Sequence, residues 1–380
     1  MKVRALRMLP VLAAVLLTTA CSSLNPFASS TPKPAKLTDL KPSADLRTAW
    51  SVGVGDSGPY VFQPAVANGS VFAASHKGRV VRIEGGKEVW RADADTRLSA
   101  GVGSNGKLAV VVSTAGVVIA YDGATGAERW RAPVGAEVLA APAVSDDLVL
   151  VRASDQRLIA LAAKDGARRW IYQRANPPLA LRSFSGVIME GGVALAGFPG
   201  GKLVAVNLTN GGALWELTVA SPRGATELER VADVAGVPVV GRREVCAVTY
   251  QGRAACFDAS NGNALWTREF SSSVGMDRDT RFAVITDDKD AVQALDVYSG
   301  ASVWKQDALA RRGVSRPLIV GDYVAVGDVE GYVHVLRRED GAFAARDRAD
   351  SSPIVADLRG YGRGFVVQTR SGDVVAYEVR

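Results

Sequence analysis

Short segments with alternating apolar and polar residues recur along most of the chain. The segments that start at Gly78, Gly116 and Gly201 read GRVVRIE, GVVIAYD and GKLVAVN, and a second apolar segment precedes each of them. Alternation with a period of two is typical of β-strands that bury one face. Copies of this alternating segment start at residues 78, 116, 156, 201, 252, 290, 331 and 372. No 3.6-residue helical period occurs beyond the N-terminal region, so the pattern predicts an all-β protein.

A turn that ends in tryptophan follows most of these segments. Its fullest form, residues 122–130, reads DGATGAERW, and residues 258–266 and 296–304 repeat it almost entirely. The Asp and Thr side chains are expected to accept hydrogen bonds from backbone N–H groups, and the Gly is expected to adopt a positive φ. Tryptophans stand at positions 50, 90, 130, 170, 215, 266 and 304. A period of about 40 residues predicts a repeated four-stranded unit.

The two ends of the array predict a closed ring. The eighth segment runs to Arg380 with no residues left for its turn and outer strand, whereas Trp50 has no such segment before it. The strand around Trp50 is therefore expected to complete the last unit, which hides both terminal edges. In the seventh unit Ala345 takes the place of the tryptophan. We predict an eight-bladed β-propeller over residues 46–380, closed by pairing of the N-terminal strand with the last blade.

The recurring tryptophans are interpreted as structural residues that pack between neighbouring blades. A buried indole covers a large apolar area, and its replacement by alanine in a core costs about 3–5 kcal/mol. The tryptophans assigned this role are Trp90, Trp130, Trp170, Trp215, Trp266 and Trp304.

The first twenty residues resemble an export signal. Lys2, Arg4 and Arg7 precede an apolar run over residues 11–17, which is too short for a stable membrane-spanning helix. A small residue followed by Cys21 resembles a bacterial lipobox, in which Cys21 would carry the lipid (palmitate included). The alternative is ordinary signal cleavage beside an incidental cysteine. Ser22 in place of Asp resembles the sorting signal for the outer membrane.

Residues 21–45 are rich in Ser, Pro and Lys and predict a flexible, lipid-anchored tether. Loss of the signal removes three basic residues, which lowers the count from 45 to 42 against 39 acidic residues, so the net charge falls from +6 to about +3. The remaining basic pairs are scattered and not interleaved with aromatic residues. The composition therefore argues against nucleic-acid binding.

The candidate site lies where the period is stretched. The first long interval carries Leu179, Leu181 and Arg182 behind a Pro-Pro pair, and two leucines with an arginine on a loop can anchor a partner. The alternative, equally open from periodicity alone, is that both leucines pack into the adjacent blades. The second interval carries a charged stretch with Arg230 and Asp233. Both intervals are expected on one rim of the ring.

Few residues suggest catalysis or metal binding. His76 and His334 show no pairing pattern, and both are interpreted as structural or solvent-facing. Residues 287–290 read DDKD, which could suggest calcium. The Lys and the lack of the usual Gly and Glu favour an ordinary hairpin turn, so no metal site is assigned.

Cys246 and Cys256 would face each other in a hairpin centred on Gln251. An oxidising compartment would allow a disulfide between them. Two buried free thiols are the alternative, because a two-residue turn would shift the register by one residue.

The lipobox, the Ser/Pro-rich tether and eight blades with the D-x-x-T-G-x-x-x-W turn together resemble the BamB family of outer-membrane lipoproteins of the β-barrel assembly machinery. The resemblance implies a non-catalytic scaffold without a cofactor, lipid-anchored at the periplasmic face of the outer membrane. It also implies binding to the POTRA domains of BamA, to other subunits of that complex and to unfolded outer-membrane protein precursors. Residues 179–182 resemble the leucine/arginine stretch that contacts BamA, which favours the partner-binding interpretation of Leu179 and Leu181. Residues 227–233 resemble the acidic stretch, with Ala235 in place of a second Asp.

The alternative function is a periplasmic quinoprotein dehydrogenase that uses pyrroloquinoline quinone and calcium, because those enzymes share the turn motif. They resemble this chain less, since they are longer and carry adjacent cysteines that are absent from this sequence. A cell-envelope module that binds sugar or peptide is a third class, which the sequence neither supports nor excludes.

Overall fold

The structure is a computed structural model that describes residues 33–175, 177–182 and 184–380. The predicted export signal over residues 1–20 and the predicted lipidation site Cys21 lie outside the described residues. Within the described ranges, no helix has the length and apolar character needed to cross a membrane.

The described part of the chain forms antiparallel strands throughout. In chain order they are β1 (Leu46–Gly53), β2 (Ala65–Ala67), β3 (Ser70–Ala74), β4 (Arg79–Glu84), β5 (Lys87–Asp93), β6 (Gly103–Ser104), β7 (Leu108–Val112), β8 (Val117–Asp122), β9 (Glu128–Pro133), β10 (Ala143–Val144), β11 (Leu148–Arg152), β12 (Leu158–Ala162), β13 (Arg168–Tyr172), β14 (Ile188–Glu190), β15 (Val193–Phe198), β16 (Lys202–Asn207), β17 (Ala213–Thr218), β18 (Val234–Val240), β19 (Glu244–Thr249), β20 (Gly252–Asp258), β21 (Ala264–Phe270), β22 (Met276–Arg278), β23 (Phe282–Thr286), β24 (Val292–Asp296), β25 (Ser302–Gln306), β26 (Leu318–Val320), β27 (Tyr323–Gly327), β28 (Tyr332–Arg337), β29 (Phe343–Arg348), β30 (Arg359–Tyr361), β31 (Gly364–Gln368) and β32 (Asp373–Val379).

These strands form eight four-stranded sheets, which are the blades of a β-propeller. Blade 1 contains β2 to β5, and each later blade takes the next four strands up to blade 7, which contains β26 to β29. Blade 8 consists of β30, β31, β32 and, as its outer strand, β1. Leu46 pairs with Val379 and Gly53 with Asp373, so the N-terminal strand closes the ring. The predicted fold, blade count and closure are confirmed.

The turn motif makes the hydrogen bonds expected from its residue types. The Asp122 carboxylate accepts from the backbone N–H of Thr125 at 2.9 Å and of Ala124 at 3.0 Å. These bonds, the Thr125 N–H first among them, hold the pKa of Asp122 below its ordinary value. Gly126 has a φ of 75°, which residues with a Cβ rarely adopt.

Tryptophan joins one blade to the next through a repeated contact, which we call the tryptophan lock. The Trp130 Nε1–H of blade 2 donates to the Ala163 carbonyl of blade 3 at 2.9 Å. The indole lies so close to Gly166 that a Cβ there would be 2.6 Å from the ring. The same lock joins Trp90 to Gly126, Trp170 to Gly211, Trp266 to Gly300 and Trp304 to Gly341. Each of these five indoles contacts the turn of the next blade.

The lock is absent from the junction between blades 4 and 5. Trp215 is only half-buried, and its Nε1–H has no hydrogen-bond partner among the described residues. Leu217, instead of the indole, approaches the turn glycine Gly262. The predicted interblade role of Trp215 is therefore weaker than that of the other five tryptophans.

Residues 35–45 follow the outside of blade 7, and we call this segment the strap. The Ser43 and Ala44 backbone N–H groups both donate to the Ala344 carbonyl of β29, at 2.8 and 3.2 Å. Ala44 is buried, and Leu37 packs against the core between blades 6 and 7. The sequence predicts a flexible tether here, but the structure includes residues 35–45 in the same compact unit as the blades. Backbone hydrogen bonds hold this segment, and its Ser/Pro/Lys-rich composition does not reveal them.

The closure of blade 8 by β1 explains why Ala345 replaces tryptophan in blade 7. Blade 8 has no turn between its third and outer strands, because its outer strand comes from the N-terminus. An indole at position 345 would therefore have no turn glycine to contact. Ala345 is instead buried at 2% exposure in a core cluster that includes Ala44 of the strap.

A buried polar network fastens the strap to blade 7. Arg312 donates to the Ala35 carbonyl at 2.9 Å and to the Asp328 carboxylate at 2.7 Å. Asp328 also contacts the His334 Nε2 at 2.9 Å, and Arg346 joins His334 to the Thr38 carbonyl. His334 is fully buried, and burial lowers its pKa despite the opposing effect of Asp328. This position agrees with the predicted structural role of His334.

Candidate partner-binding site

Two long loops leave the ring next to each other. The leucine loop, residues 173–187, connects β13 of blade 3 to β14 of blade 4. The charged loop, residues 219–233, connects β17 of blade 4 to β18 of blade 5. Both run from the outer strand of one blade to the inner strand of the next, so both emerge on the same face of the ring. This topology agrees with the prediction that the two insertions share a rim.

Asp233, at the end of the charged loop, ties the two loops together. Its carboxylate accepts from the Leu181 backbone N–H at 2.6 Å and from the Gly200 backbone N–H at 3.1 Å. Asp233 is only 4% exposed. The sequence predicts a charge presented to a partner, but the structure turns this carboxylate inward because it satisfies backbone donors of the leucine loop. Asp233 therefore shapes the candidate surface from beneath, and Ala235, two residues later, is also buried.

The leucine loop exposes apolar and cationic side chains. Leu179 is 43% exposed and Leu181 is half-buried, so the two predicted anchors differ in accessibility. Arg182 is exposed and donates to the Glu137 carboxylate of a neighbouring loop at 3.0 Å. The Arg182 guanidinium also lies 5.8 Å from the centre of the Tyr60 ring. These contacts hold Arg182 over the ring surface while most of the side chain stays accessible.

The charged loop contains a short turn that is stabilised from both ends. The Glu229 carboxylate accepts from the Thr226 backbone N–H at 3.1 Å, and the Thr226 hydroxyl accepts from the Glu229 N–H at 3.3 Å. This reciprocal pair has the geometry of a capping box, and the backbone hydrogen bonds lower the pKa of Glu229. The turn presents Leu228, which is 69% exposed. Arg230 is also exposed and lies 3.8 Å from Glu227.

A buried arginine supports the base of the leucine loop. Arg152 is 7% exposed, donates to the Gln156 side-chain oxygen at 3.0 Å and lies 5.1 Å from the centre of the Phe198 ring. Burial lowers its pKa to about 10, with Asp233 opposing the shift. Arg152, Leu181 and Arg182 line a cavity of about 270 Å³ beneath the loop. The leucine loop therefore lines a cavity and does not rest on a filled core.

The structure adds four side chains to the surface that sequence reasoning did not select. They are Tyr60 and Glu137, which contact Arg182, and the exposed apolar residues Phe184 and Leu228. A leucine among charged residues could have drawn attention to Leu228. Tyr60 and Glu137 belong to other blades, and no local pattern links them to the leucine loop.

The remaining predicted residues lie elsewhere. Cys246 and Cys256 are directly opposite in the hairpin of β19 and β20, with 4.0 Å between their Cα atoms, and the structure joins them in a disulfide. Residues 287–290 form the turn between β23 and β24, as predicted. His76 contacts the Leu98 carbonyl through its Nδ1 at 2.7 Å. No group of three His, Cys, Asp or Glu side chains in the described ranges is placed to hold a metal ion.

Comparison with known proteins relates the whole ring to one family. Residues 77–306 match the family model described as outer membrane protein assembly factor BamB. The chain is 42% identical over 371 residues to the protein of that name from Burkholderia pseudomallei, covering 97% of this chain and 96% of that protein. A crystal structure of BamB from Moraxella catarrhalis matches with a TM-score of 0.82 at 26% identity, covering 88% of this chain and 100% of that one. A quinohemoprotein alcohol dehydrogenase from Comamonas testosteroni matches with a TM-score of 0.70 at 13% identity, covering 88% and 76%, which shows a shared fold alone.

Proposed function

This chain belongs to the BamB family of outer membrane protein assembly factors, and from that premise we propose that it docks a partner through the leucine and charged loops. It is a subunit of the outer-membrane β-barrel assembly complex and associates with the outer membrane. Its role is that of a non-catalytic assembly factor. The finer proposal is that the loops bind the periplasmic POTRA domains of BamA and thereby assist the folding and insertion of outer-membrane proteins.

The observation that carries this proposal is the exposure of Leu179, Phe184 and Leu228 on loops that are fixed at their bases. Exposed apolar side chains supply binding energy when a partner buries them, and a fixed loop loses little conformational entropy on binding. Arg182 and Arg230 add guanidinium charges beside these residues, each partly offset by a nearby carboxylate, that of Glu137 or Glu227. An acidic surface on the partner would complement this charge and accelerate association.

The proposal assigns attachment to the membrane to Cys21. Lipid at this residue, followed by the segment up to the strap, would hold the ring at the periplasmic face of the outer membrane. Cys21→Ser is expected to abolish incorporation of labelled palmitate and to release the protein from washed membranes into the soluble periplasmic fraction. Ser23→Ala serves as the control, because it changes a residue close to Cys21 and keeps both that cysteine and the Cys246–Cys256 disulfide. Unchanged membrane retention of Cys21→Ser would contradict this assignment.

Leu179→Asp tests the apolar part of the docking surface. It is expected to weaken binding to purified BamA POTRA domains by about 30-fold or more, the size of a binding hot spot, as measured by titration calorimetry. Leu214→Asp is the matched control, since Leu214 is 51% exposed on the outer wall of blade 4, away from both loops. The ring should stay folded in both variants, because both leucines face solvent. Equal affinities of the two variants would defeat the assignment.

Arg182→Glu tests the electrostatic part of the same surface. Reversal of this charge is expected to reduce co-purification with BamA and to weaken the salt dependence of the association rate. Arg169→Glu makes the same change at an exposed position on the outer strand of blade 3 and should leave binding unchanged. If Arg182→Glu co-purifies with BamA as well as the unaltered protein does, Arg182 lies outside the interface.

A further inference from the structure

The axis of the ring contains a cavity of about 570 Å³. Residues on or beside the innermost strands of all eight blades line it. Blades 1 to 5 contribute mostly neutral residues, including Val66, Val102, Val144, Ile188 and Val240. Blades 6 to 8 contribute charged side chains, namely Asp277, Arg278, Arg316 and Arg359. Blade 4 also contributes Glu190. The cavity therefore has a mostly uncharged wall, which includes apolar side chains, facing a wall that carries three arginines.

Two of the three arginines have carboxylate partners. Arg278 is 8% exposed and donates to Glu244 at 2.6 Å. Arg316 contacts Asp357 at 3.3 Å and Asp277 at 3.7 Å. Both guanidinium groups are thereby held in fixed positions at the cavity wall.

Arg359 differs from both, because it forms no hydrogen bond or ion pair with any residue that the structure describes. Its side chain is half-buried, and this burial lowers the pKa of its guanidinium while the charge of Asp357 opposes the shift. A guanidinium has five N–H donors, so this half-buried group can bind an acceptor that enters the cavity. Arg359 thus presents unused donors to the cavity.

Two more donors at the same cavity lack acceptors. The Arg278 Nε and the Gln63 side-chain amide nitrogen are buried and form no hydrogen bond within the described chain. Gln63 precedes β2 of blade 1, which neighbours blade 8 and its Arg359 in the ring, and Gln63 also lines the cavity. Most buried polar groups in proteins are satisfied, so unsatisfied donors gathered at one cavity indicate an acceptor that occupies it.

We propose that the axial cavity is a binding site for a carboxylate attached to a small apolar group. Arg359 would bind the carboxylate, with Arg278 and Gln63 as additional donors, because a planar guanidinium matches the geometry of a carboxylate. The valines and Ile188 of blades 1 to 5 would contact the apolar part of the ligand. This site is separate from the leucine and charged loops that dock the partner.

Titration calorimetry of the purified full chain at low ionic strength tests this proposal with 4-phenylbutyrate, its neutral amide and inorganic phosphate. We expect saturable binding of the carboxylate, at least tenfold tighter than of the amide or of phosphate. If the amide binds as tightly as the carboxylate, the proposed role of charge is overturned. If phosphate binds as tightly, the proposed role of the apolar side chains is overturned. If the carboxylate shows no saturable binding, the proposed site is overturned and water is the acceptor for these donors. These comparisons use the unaltered chain, so they do not depend on the folding of a variant.

Arg359→Gln then locates the site within the cavity. It is expected to weaken carboxylate binding at least tenfold while leaving the amide unaffected. Arg363→Gln is the matched control, because Arg363 lies in the same blade, in the exposed turn between β30 and β31. Unchanged carboxylate affinity of a folded Arg359→Gln variant would overturn the assignment of Arg359.

Discussion

The two loops of the candidate surface stand on junctions of different construction. The leucine loop begins just after Trp170, whose Nε1–H donates to the Leu208 carbonyl at 2.7 Å and whose ring lies against Gly211. The charged loop begins just after the strand of Trp215, which makes no such lock. One loop therefore starts from a rigid junction and the other from a looser one.

The difference shows how a repeat fold accommodates an irregular surface. Where the tryptophan lock is present, the indole alone fixes the neighbouring blade. Where it is weakened, the Asp233 carboxylate supplies a substitute by binding the backbone of Leu181 and Gly200. The substitute connects the two loops to each other, so the looser junction is stabilised by the partner-binding elements themselves.

The largest expected effect is on stability, and it compares alanine variants at the two junctions. Trp170→Ala should reduce the free energy of unfolding by about 3–5 kcal/mol, because it removes a buried indole and leaves a cavity between blades 3 and 4. Trp215→Ala should cost only about 1–2 kcal/mol, because this indole is half-exposed and forms no hydrogen bond in the described structure. Chemical denaturation followed by tryptophan fluorescence measures both. Equal costs would mean that the two junctions are equally tight.

A smaller effect extends the comparison to the closure of the ring. Ala345→Trp restores the repeat motif in blade 7, yet we expect it to destabilise the protein by about 1–3 kcal/mol, because the buried cluster around Ala345 has no room for an indole. Leu214→Trp, which places an indole on the exposed outer wall, should change stability by less than about 0.5 kcal/mol. Stabilisation by Ala345→Trp would refute the explanation given for this alanine.

The smallest effect concerns the pH dependence of the same closure region. His334 has a lowered pKa in the folded state, so the unfolded chain binds the proton more readily below the ordinary pKa of about 6.5. Its contribution to stability is therefore complete above about pH 7 and is lost as the pH falls, by at most about 1.4 kcal/mol per pH unit. His334→Gln should flatten the stability profile between about pH 7.5 and 5.5. Denaturation at several pH values measures the slope, and His76→Gln, at a half-buried histidine, is the control.

Much of the fold follows from local chemistry in the sequence. The turn over residues 122–130 determines its own conformation through Asp122 and Gly126, and repetition of the motif determines the number of blades. The absence of a turn after β32 predicts the closure by β1, because unpaired strand edges are unfavourable. The half-exposure of Trp215 could not be predicted, since Gly262, the turn glycine of the next blade, stands at the same motif position as the glycines of the locked junctions.

The candidate site was less predictable, because long loops are positioned by contacts distant in sequence. The stretched period correctly located both loops. Asp233 and Arg182 are both charged, however, and a sequence pattern places both side chains at the surface. Only the structure distinguishes them, because Asp233 bonds to a backbone N–H 52 residues away. The strap was missed for the same reason, since Arg312 reaches the Ala35 carbonyl across 277 residues.

The pairing of β1 with β32 also dictates an order of events during synthesis and export. Leu46 is among the first residues of the ring to be made, and its partner Val379 is the penultimate residue of the chain. Blades 1 to 7 can form progressively, since each draws its strands from one continuous stretch. Blade 8 must wait for β32, so a chain interrupted before that strand is left as an open arc with unpaired strand edges at both ends. Completion of the ring therefore distinguishes chains that include β32 from chains that end before it.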